Sequence, residues 1–519
     1  MSAASDAHWR WPTREWRLLV AVYGLVVLSR LPFLNHGVES FDAVNYMLAI
    51  GHFDMRLGQP QPPGYILYIL LARAANLVSG GPHAALLLVS SVFSGAAVIA
   101  MYLAGRDIFN RRTGALAAAL LAVTPFFWFT GSSAVPYAPD LAFATTTAWL
   151  CYREMQSAEE RIPWAAALAL GLAGAFRLQT LLFLFPLFLY SIRKRQWKNI
   201  LTGCVCAGGV FAAFFVPSVY ASGGPAQFLR ALFAIVPILS GGGIMAGSSY
   251  AQKILANGMV TGRHLLAVLG ELLLPLALTG LIYLPEKRTP QQRQRLIFLL
   301  LWILPTWLVC LLIGPGNVGT IQVTTAPWFL LAAFSLAALT LHPRWKWTGW
   351  ALSGVILVVY SVVFTLLPYR PFGNHYRAFH TYDALVSTAA DYREKTELIR
   401  QFPAQESLVI AREFRLVQYY LPEYRVLSVP TIDPDDTQRF SSVIRVEHNQ
   451  AEYLYDVTLD DVLPAGTRYV IFYDAHLLYF PLNGITLQPV TQGNTSIHVL
   501  ELEPGRRLGW TAQGLSLQP

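Results

Sequence analysis

Glu39-Ser40-Phe41-Asp42-Ala43-Val44-Asn45-Tyr46, with Gln61-Pro62-Pro63-Gly64-Tyr65 a short way behind it, follows the first apolar run of this chain. The pair of stretches decides the fold because it sets a carboxylate, Asp42, at the edge of a membrane-sized apolar segment. An acid at that depth is costly unless water, a partner or a reaction keeps it there. It therefore reads as part of an outer loop with chemistry on it, in a protein built mostly of apolar helices.

Working outward, the composition agrees. Of 519 residues 54% are hydrophobic and only 13% are charged, and the mean hydropathy is +0.43. A soluble enzyme of this length is far more polar. Runs long enough to cross about 30 Å of hydrocarbon recur at 18–34, 84–104, 114–131, 136–152, 162–176, 177–192, 199–220, 264–284, 296–313, 320–341 and 347–367, about eleven crossings, and then stop. The chain thus divides into a transmembrane part, 1–370, and a water-exposed part, 371–519. Basic clusters such as Arg106-Arg111-Arg112, Arg193-Lys194-Arg195 and Lys287-Arg288 alternate with loops poor in Lys and Arg. By the positive-inside rule the N-terminus is cytoplasmic and the C-terminal part extracytoplasmic. That assignment requires the apolar stretch 64–78 to lie along the outer interface as an in-plane helix, since counting it as a crossing reverses every later loop.

The net charge of +8 sits in those basic loops, where anionic membrane lipid explains it and nucleic acid need not be invoked. The first span lacks a small-residue cleavage site and ends in Arg30-Leu31-Pro32, so it reads as retained. Cys151, Cys204, Cys206 and Cys310 fall in or at the ends of membrane helices and have no metal-ligand spacing. Beyond 370, helical periodicity covers 382–402 and 414–421, and short apolar runs at 407–411, 425–429, 469–473 and 497–502 read as strands. These make a small α/β layer with no phosphate loop and no nucleophile elbow, a structural or acceptor-docking module.

On these residues the chain resembles the GT-C membrane glycosyltransferases that use polyprenyl-phosphate sugars, in particular the family 39 protein O-mannosyltransferases and the bacterial aminoarabinose transferases. Over about residues 15–370 the order of landmarks is similar: an Asp a few residues before a Tyr in the first outer loop (Asp42, Tyr46), a Pro-Pro signature opening the second in-plane helix (Gln61-Pro62-Pro63), a basic residue closing the first helix (Arg30) and a further acid after the third helix (Asp140). The resemblance implies an inverting glycosyltransferase that moves a sugar from a polyprenyl-phosphate donor to an extracytoplasmic acceptor, with Asp42 as general base and a role for Asp140. Arg177, which splits 162–190 into two short helices, stands where such proteins often carry a Lys or Arg, and its guanidinium suits phosphate. Two departures stand out: the second acid of the first loop is replaced by Ala43, and Gln322 stands where many relatives carry an Arg-Tyr pair.

Each residue also has a plainer reading. Asp42 can cap a helix and Asp140 can be a first-turn acid; Glu39 and Asp54 read as surface charges, although Glu39 is able to stand in for the missing acid. Arg177 can be a snorkelling helix end, and Lys253, Arg263 and His264, bracketing a long outer loop, are donor contacts or interfacial anchors. Gly241-Gly242-Gly243 reads as a flexible hinge or lid, since no Lys-Ser/Thr follows it to make a phosphate cradle. No cofactor is required, and a divalent cation remains open as an addition. The competing classes are a transporter or lipid flippase, against which the absence of an evident internal repeat argues, and a catalytically inactive relative that binds acceptor.

Overall fold

Apolar runs become helices and Pro or Gly marks their breaks. The computed structural model describes residues 13–35, 37–239, 249–283, 289–315, 318–370, 380–428, 440–447, 450–457, 466–474, 482–483, 485–493, 495–503, 507–511 and 514–518. In chain order its helices are α1 (Thr13–Arg30), α2 (Phe41–Gly51), α3 (Ile66–Ser79), α4 (Pro82–Ile108), α5 (Arg111–Val123), α6 (Pro125–Gly131), α7 (Tyr137–Gln156), α8 (Trp164–Phe176), α9 (Leu178–Ile192) and α10 (Trp197–Ala221). They continue as α11 (Pro225–Leu239), α12 (Tyr250–Leu269), α13 (Leu273–Tyr283), α14 (Pro290–Leu312), α15 (Val318–Gln322), α16 (Thr325–Leu341), α17 (Lys346–Leu366), α18 (Tyr382–Ile399) and α19 (Phe414–Tyr420).

Among the described residues five helices are long and apolar enough to cross a membrane, and two bent pairs raise that to seven. The chain is a multi-pass helical membrane protein. Several of the expected crossings take a different form. The run 114–131 is bent by 65° between α5 and α6, because Pro125 has no N–H to donate to the Leu121 carbonyl, while the Thr124 N–H and hydroxyl both close on the Leu120 carbonyl at 3.0 and 2.6 Å. The run 264–284 is not one helix: α12 already begins at Tyr250 and meets α13 at 107°. Gly270 makes that corner with φ +75°, and the Tyr360 hydroxyl donates to the Leu269 carbonyl at 2.8 Å. The stretch 64–78 forms α3, whose 14 residues reach about 21 Å, short of the hydrocarbon thickness.

The chain separates into two compact units. One holds Met1–Asn35, Pro63–Val219 and Ser249–Ala384. Its interior is a single apolar core in which α4 packs on α5 and α7, and α16 on α5 and α13. Small residues permit the closest crossings: a Cβ on Gly105 meets the Gly114 Cα at 2.7 Å.

The other unit holds His36–Pro62, Tyr220–Ser248 and Leu385–Pro519. Its centre is a seven-stranded mixed sheet in the order β4-β3-β2-β1-β5-β8-β7, with a smaller three-stranded sheet β6-β10-β9. The strands are β1 (Ser407–Ile410), β2 (Arg425–Ser428), β3 (Phe440–Glu447), β4 (Gln450–Val457), β5 (Tyr469–Phe472), β6 (Leu482–Asn483), β7 (Gln488–Gln492), β8 (Thr495–Glu501), β9 (Arg507–Thr511) and β10 (Gly514–Gln518). β2, β1 and β5 run parallel and are apolar without alternation, as strands covered on both faces are. Leu398 and Ile399 of α18, with Phe414 and Val417 of α19, pack into the same core as Val409 and Ile471. The first outer loop therefore belongs to the same compact unit as the C-terminal sheet.

Candidate active site

Asp42 lies in the first turn of α2 and is partly buried. The cap of that helix is Ser40, whose hydroxyl accepts from the Ala43 N–H at 3.2 Å, so the capping task is met without the Asp42 carboxylate. One turn on, the Tyr46 hydroxyl accepts a hydrogen bond from Gln61 Nε2 at 2.9 Å, which brings two candidate residues together. Asn45, which the sequence reading passed over, is 2% exposed, and its Oδ1 is buried with no hydrogen-bond partner among the described residues. Its i+3 spacing from Asp42 was the available signal. Two sequence expectations need correction here. Glu39 and Asp54 are not surface charges but are 8% and 2% exposed; Asp54 caps a short turn by accepting from Arg56 N–H at 2.9 Å and pairs with the Arg56 guanidinium at 2.6 Å.

The loop rests on α19. Phe41 meets Phe414 edge to face at 5.3 Å, the Val38 N–H donates to the Tyr420 hydroxyl at 3.2 Å, and Arg415, itself 1% exposed, donates to the Leu57 carbonyl. α19 leaves the carboxyl end of β1. From β1 the chain turns one way, through α19, to β2, while β5 lies on the other side, so the ends of β1 and β5 flank a topological switch point, the usual crevice of such sheets. Arg412 and Glu413 follow β1; Tyr473 and Asp474 follow β5. Asp474 Oδ2 accepts from the Arg412 and Glu413 N–H groups at 2.6 and 3.2 Å. Burial pushes the Glu413 carboxyl above its usual range, and the negative charges of Asp474 and Asp42 add to that. The Tyr473 hydroxyl is buried with no hydrogen-bond partner among the described residues, and its pKa is raised by burial.

In the helical unit, Arg177 occupies the break between α8 and α9 and is 3% exposed. Its Nη1 donates to Asp140 Oδ2 at 3.0 Å and to the Gly319 carbonyl at 3.1 Å, and its Nε donates to Gln179 Oε1 at 3.0 Å. The other Asp140 oxygen accepts from the Thr180 hydroxyl at 2.6 Å. Asp140 and Arg177 are thus a buried ion pair that ties α7 to α9 and α15. Gly319 is required for this: a Cβ there would lie 2.0 Å from the Tyr137 ring, so only glycine brings its carbonyl to the guanidinium. Arg30 is also buried, at 1% exposure; its Nη2 donates to the Ala122 carbonyl at 2.8 Å and its guanidinium lies 4.7 Å over Trp128. A cation there caps the carbonyl end of α5. Gln322 is buried and its Nε2 donates to the Thr130 hydroxyl at 3.4 Å.

Lys253, Arg263 and His264 all lie on α12. About 16 Å of helix separates the first from the last, so they do not form one cluster; Arg263 is exposed and His264 Nδ1 is buried without a partner among the described residues. Gly241-Gly242-Gly243 lies outside the described residues. Among the described residues no group of three or more His, Cys, Asp or Glu side chains could hold a metal ion.

The model of the family described as dolichyl-phosphate-mannose-protein mannosyltransferase matches residues 61–220. No curated protein matches the chain. Among solved structures, ArnT from Cupriavidus metallidurans bound to undecaprenyl phosphate is similar with a TM-score of 0.55 at 12% identity, over 95% of this chain and 99% of that one. The same protein in its apo state gives 0.53 at 12% identity over 94% and 98%. The apo oligosaccharyltransferase of Archaeoglobus fulgidus gives 0.50 at 13% identity over 80% of this chain, which spans 65% of that protein's length. The chain shares the fold of these solved structures, with helical membrane spans and a C-terminal sheet domain.

Proposed function

We propose that a chain with this fold moves a sugar from a polyprenyl-phosphate carrier to an acceptor hydroxyl outside the cytoplasm, inverting the anomeric centre. Asp42 takes the acceptor proton as general base. The acceptor oxygen then forms a bond to the anomeric carbon as the bond from that carbon to the phosphate oxygen breaks, and the lipid phosphate leaves with the electron pair. Glu39, Tyr46 and Gln61 shape the loop around Asp42, and the crevice beside α19 receives the acceptor, which is a protein, a lipid or a glycan. Arg177, held by Asp140, handles donor phosphate, with Arg30, Lys253, Arg263 and His264 as further basic contacts. The basic loops face the cytoplasm. Residues 1–370 carry catalysis and 371–519 the acceptor.

The observation that supports this reading most is the helix break that carries Arg177 and its carboxylate, in a fold similar along its whole length to a protein solved with undecaprenyl phosphate. Asp42→Asn preserves volume and leaves the Ser40 cap in place. Its consumption of polyprenyl-phosphate-linked sugar in membranes is expected to fall by about 10²–10⁴, the span of general-base catalysis, with insertion and melting unchanged. Full turnover in this variant removes Asp42 from the mechanism.

A further inference from the structure

A second cavity lies at the other end of α9 from Arg177. That helix is 15 residues long, about 22 Å, so the two places are separated by most of a membrane's thickness. The cavity measures about 670 Å³ and lies where the end of α9 meets the start of α14; Tyr190, Arg193, Gln292, Arg293, Leu296 and Ile297 are among its lining residues. Arg193 is held in a defined pose: its Nη1 donates to the Tyr190 carbonyl at 2.5 Å and its guanidinium lies 3.7 Å over the Tyr190 ring. Neither Arg193 nor Arg293 has a carboxylate partner among the described residues, whereas Arg195, two residues further on, is locked to Glu154 at 2.7 Å. The start of α14 is fixed by a capping box between Thr289 and Gln292, so its first turn is a rigid wall. Leu296 and Ile297 stand one turn deeper, on a helix that itself qualifies as a span.

We infer that this cavity binds the head group of an anionic phospholipid, with Arg193 and Arg293 on the phosphate and with Tyr190, Leu296 and Ile297 along the first part of the acyl chains. Three properties together favour a lipid over a free anion. Two guanidinium-bearing side chains line the same cavity without a carboxylate partner among the described residues, which suits a phosphate diester. Apolar side chains continue the same wall into the span, which a soluble ion has no use for. The site sits at helix ends where basic residues meet lipid head groups. The inference does not depend on the transferase reading, because none of these residues has a part in it.

The test uses the full-length protein in mild detergent, with retained lipid counted by native mass spectrometry. Phosphatidylglycerol is expected to bind saturably at one copy per chain, phosphatidylcholine less tightly, and inorganic phosphate at the same concentration is expected not to displace the lipid. In Arg193→Gln/Arg293→Gln the affinity for phosphatidylglycerol is expected to drop at least about tenfold, since both charge-assisted contacts are lost. Arg344→Gln/Lys346→Gln, which removes equal charge elsewhere, is expected to stay within about twofold. Arg193→Lys/Arg293→Lys, folded by the same chromatographic criterion, is expected to fall between them, because charge is kept and the planar fork is lost. Equal loss in both Gln pairs overturns the site in favour of diffuse attraction. Displacement by inorganic phosphate overturns the lipid assignment, and unchanged lipid retention in the first pair overturns the proposal outright.

Discussion

At the scale of single residues the most consequential contact is the Arg177–Asp140 pair, with side chains 3% and 1% exposed. Breaking a buried pair leaves one charge without compensation, so Arg177→Met or Asp140→Asn alone is expected to cost about 3–5 kcal/mol. Replacing both by apolar residues of similar volume is expected to return most of that stability, because the desolvation penalty disappears with the charges. Thermal unfolding of the two single variants and Arg177→Met/Asp140→Leu checks it; a double variant less stable than either single one contradicts it. Transferase activity separates the two tasks of Arg177. If the guanidinium also meets donor phosphate, the double variant is folded and inactive. Asp42 differs in kind from this pair, since Ser40 already caps α2 and the Asp42 carboxylate is only partly buried.

Among the elements, the corner at Gly270 makes the sharpest prediction. A side chain there must adopt φ +75° and set its Cβ 2.4 Å from the Tyr360 hydroxyl. Gly270→Ala is expected to destabilise the protein by at least about 2 kcal/mol, because φ +75° with ψ 167° is a backbone region essentially confined to glycine and such strain alone costs about 1–3 kcal/mol. Adding Tyr360→Phe is expected to recover only part, because the hydroxyl goes and the backbone strain stays; the melting midpoints of the three variants decide. This corner also marks where the sequence stopped being legible. An apolar run such as 264–284 looks the same whether it is straight or bent, because hydropathy records burial and not the direction of the axis. By contrast α18, α19, β1, β2, β5 and β8 could be read from period and punctuation, with Arg177 at the break of α8 and α9. β3 and β4 could not: they form a hairpin whose β3 lies antiparallel on β2, and their sequences carry no clean alternation. At the site, the types of Asp42, Asp140 and Arg177 were legible. That Asp140 holds Arg177, that Asn45 is buried, and that Glu39 is inside were not, since each follows from contacts between segments distant in sequence or from how deeply a loop sinks.

At the scale of the molecule, stability of the unit that carries Asp42 should depend on pH through Glu413. Its carboxyl is raised from an ordinary value of 4.5 by burial first and then by neighbouring negative charge, chiefly Asp474 and to a lesser degree Asp42. The folded form therefore holds this proton more tightly than the unfolded chain does. The associated stability is fully present below about 4.5 and is lost as pH rises through the higher folded value. Glu413→Gln is expected to flatten unfolding of this unit over that window, followed by the near-ultraviolet signal of its tyrosines; an unchanged slope removes Glu413 as the source. The grouping of His36–Pro62 with Leu385–Pro519 also has a consequence for how the protein comes into being. The ribosome emits the loop bearing Asp42 early and α19, on which that loop rests, late, so a nascent chain carries the loop as an unsupported ribbon. Arg415, which clasps the Leu57 carbonyl, is made more than three hundred residues later, and a polypeptide released prematurely leaves this loop without the surface that holds it.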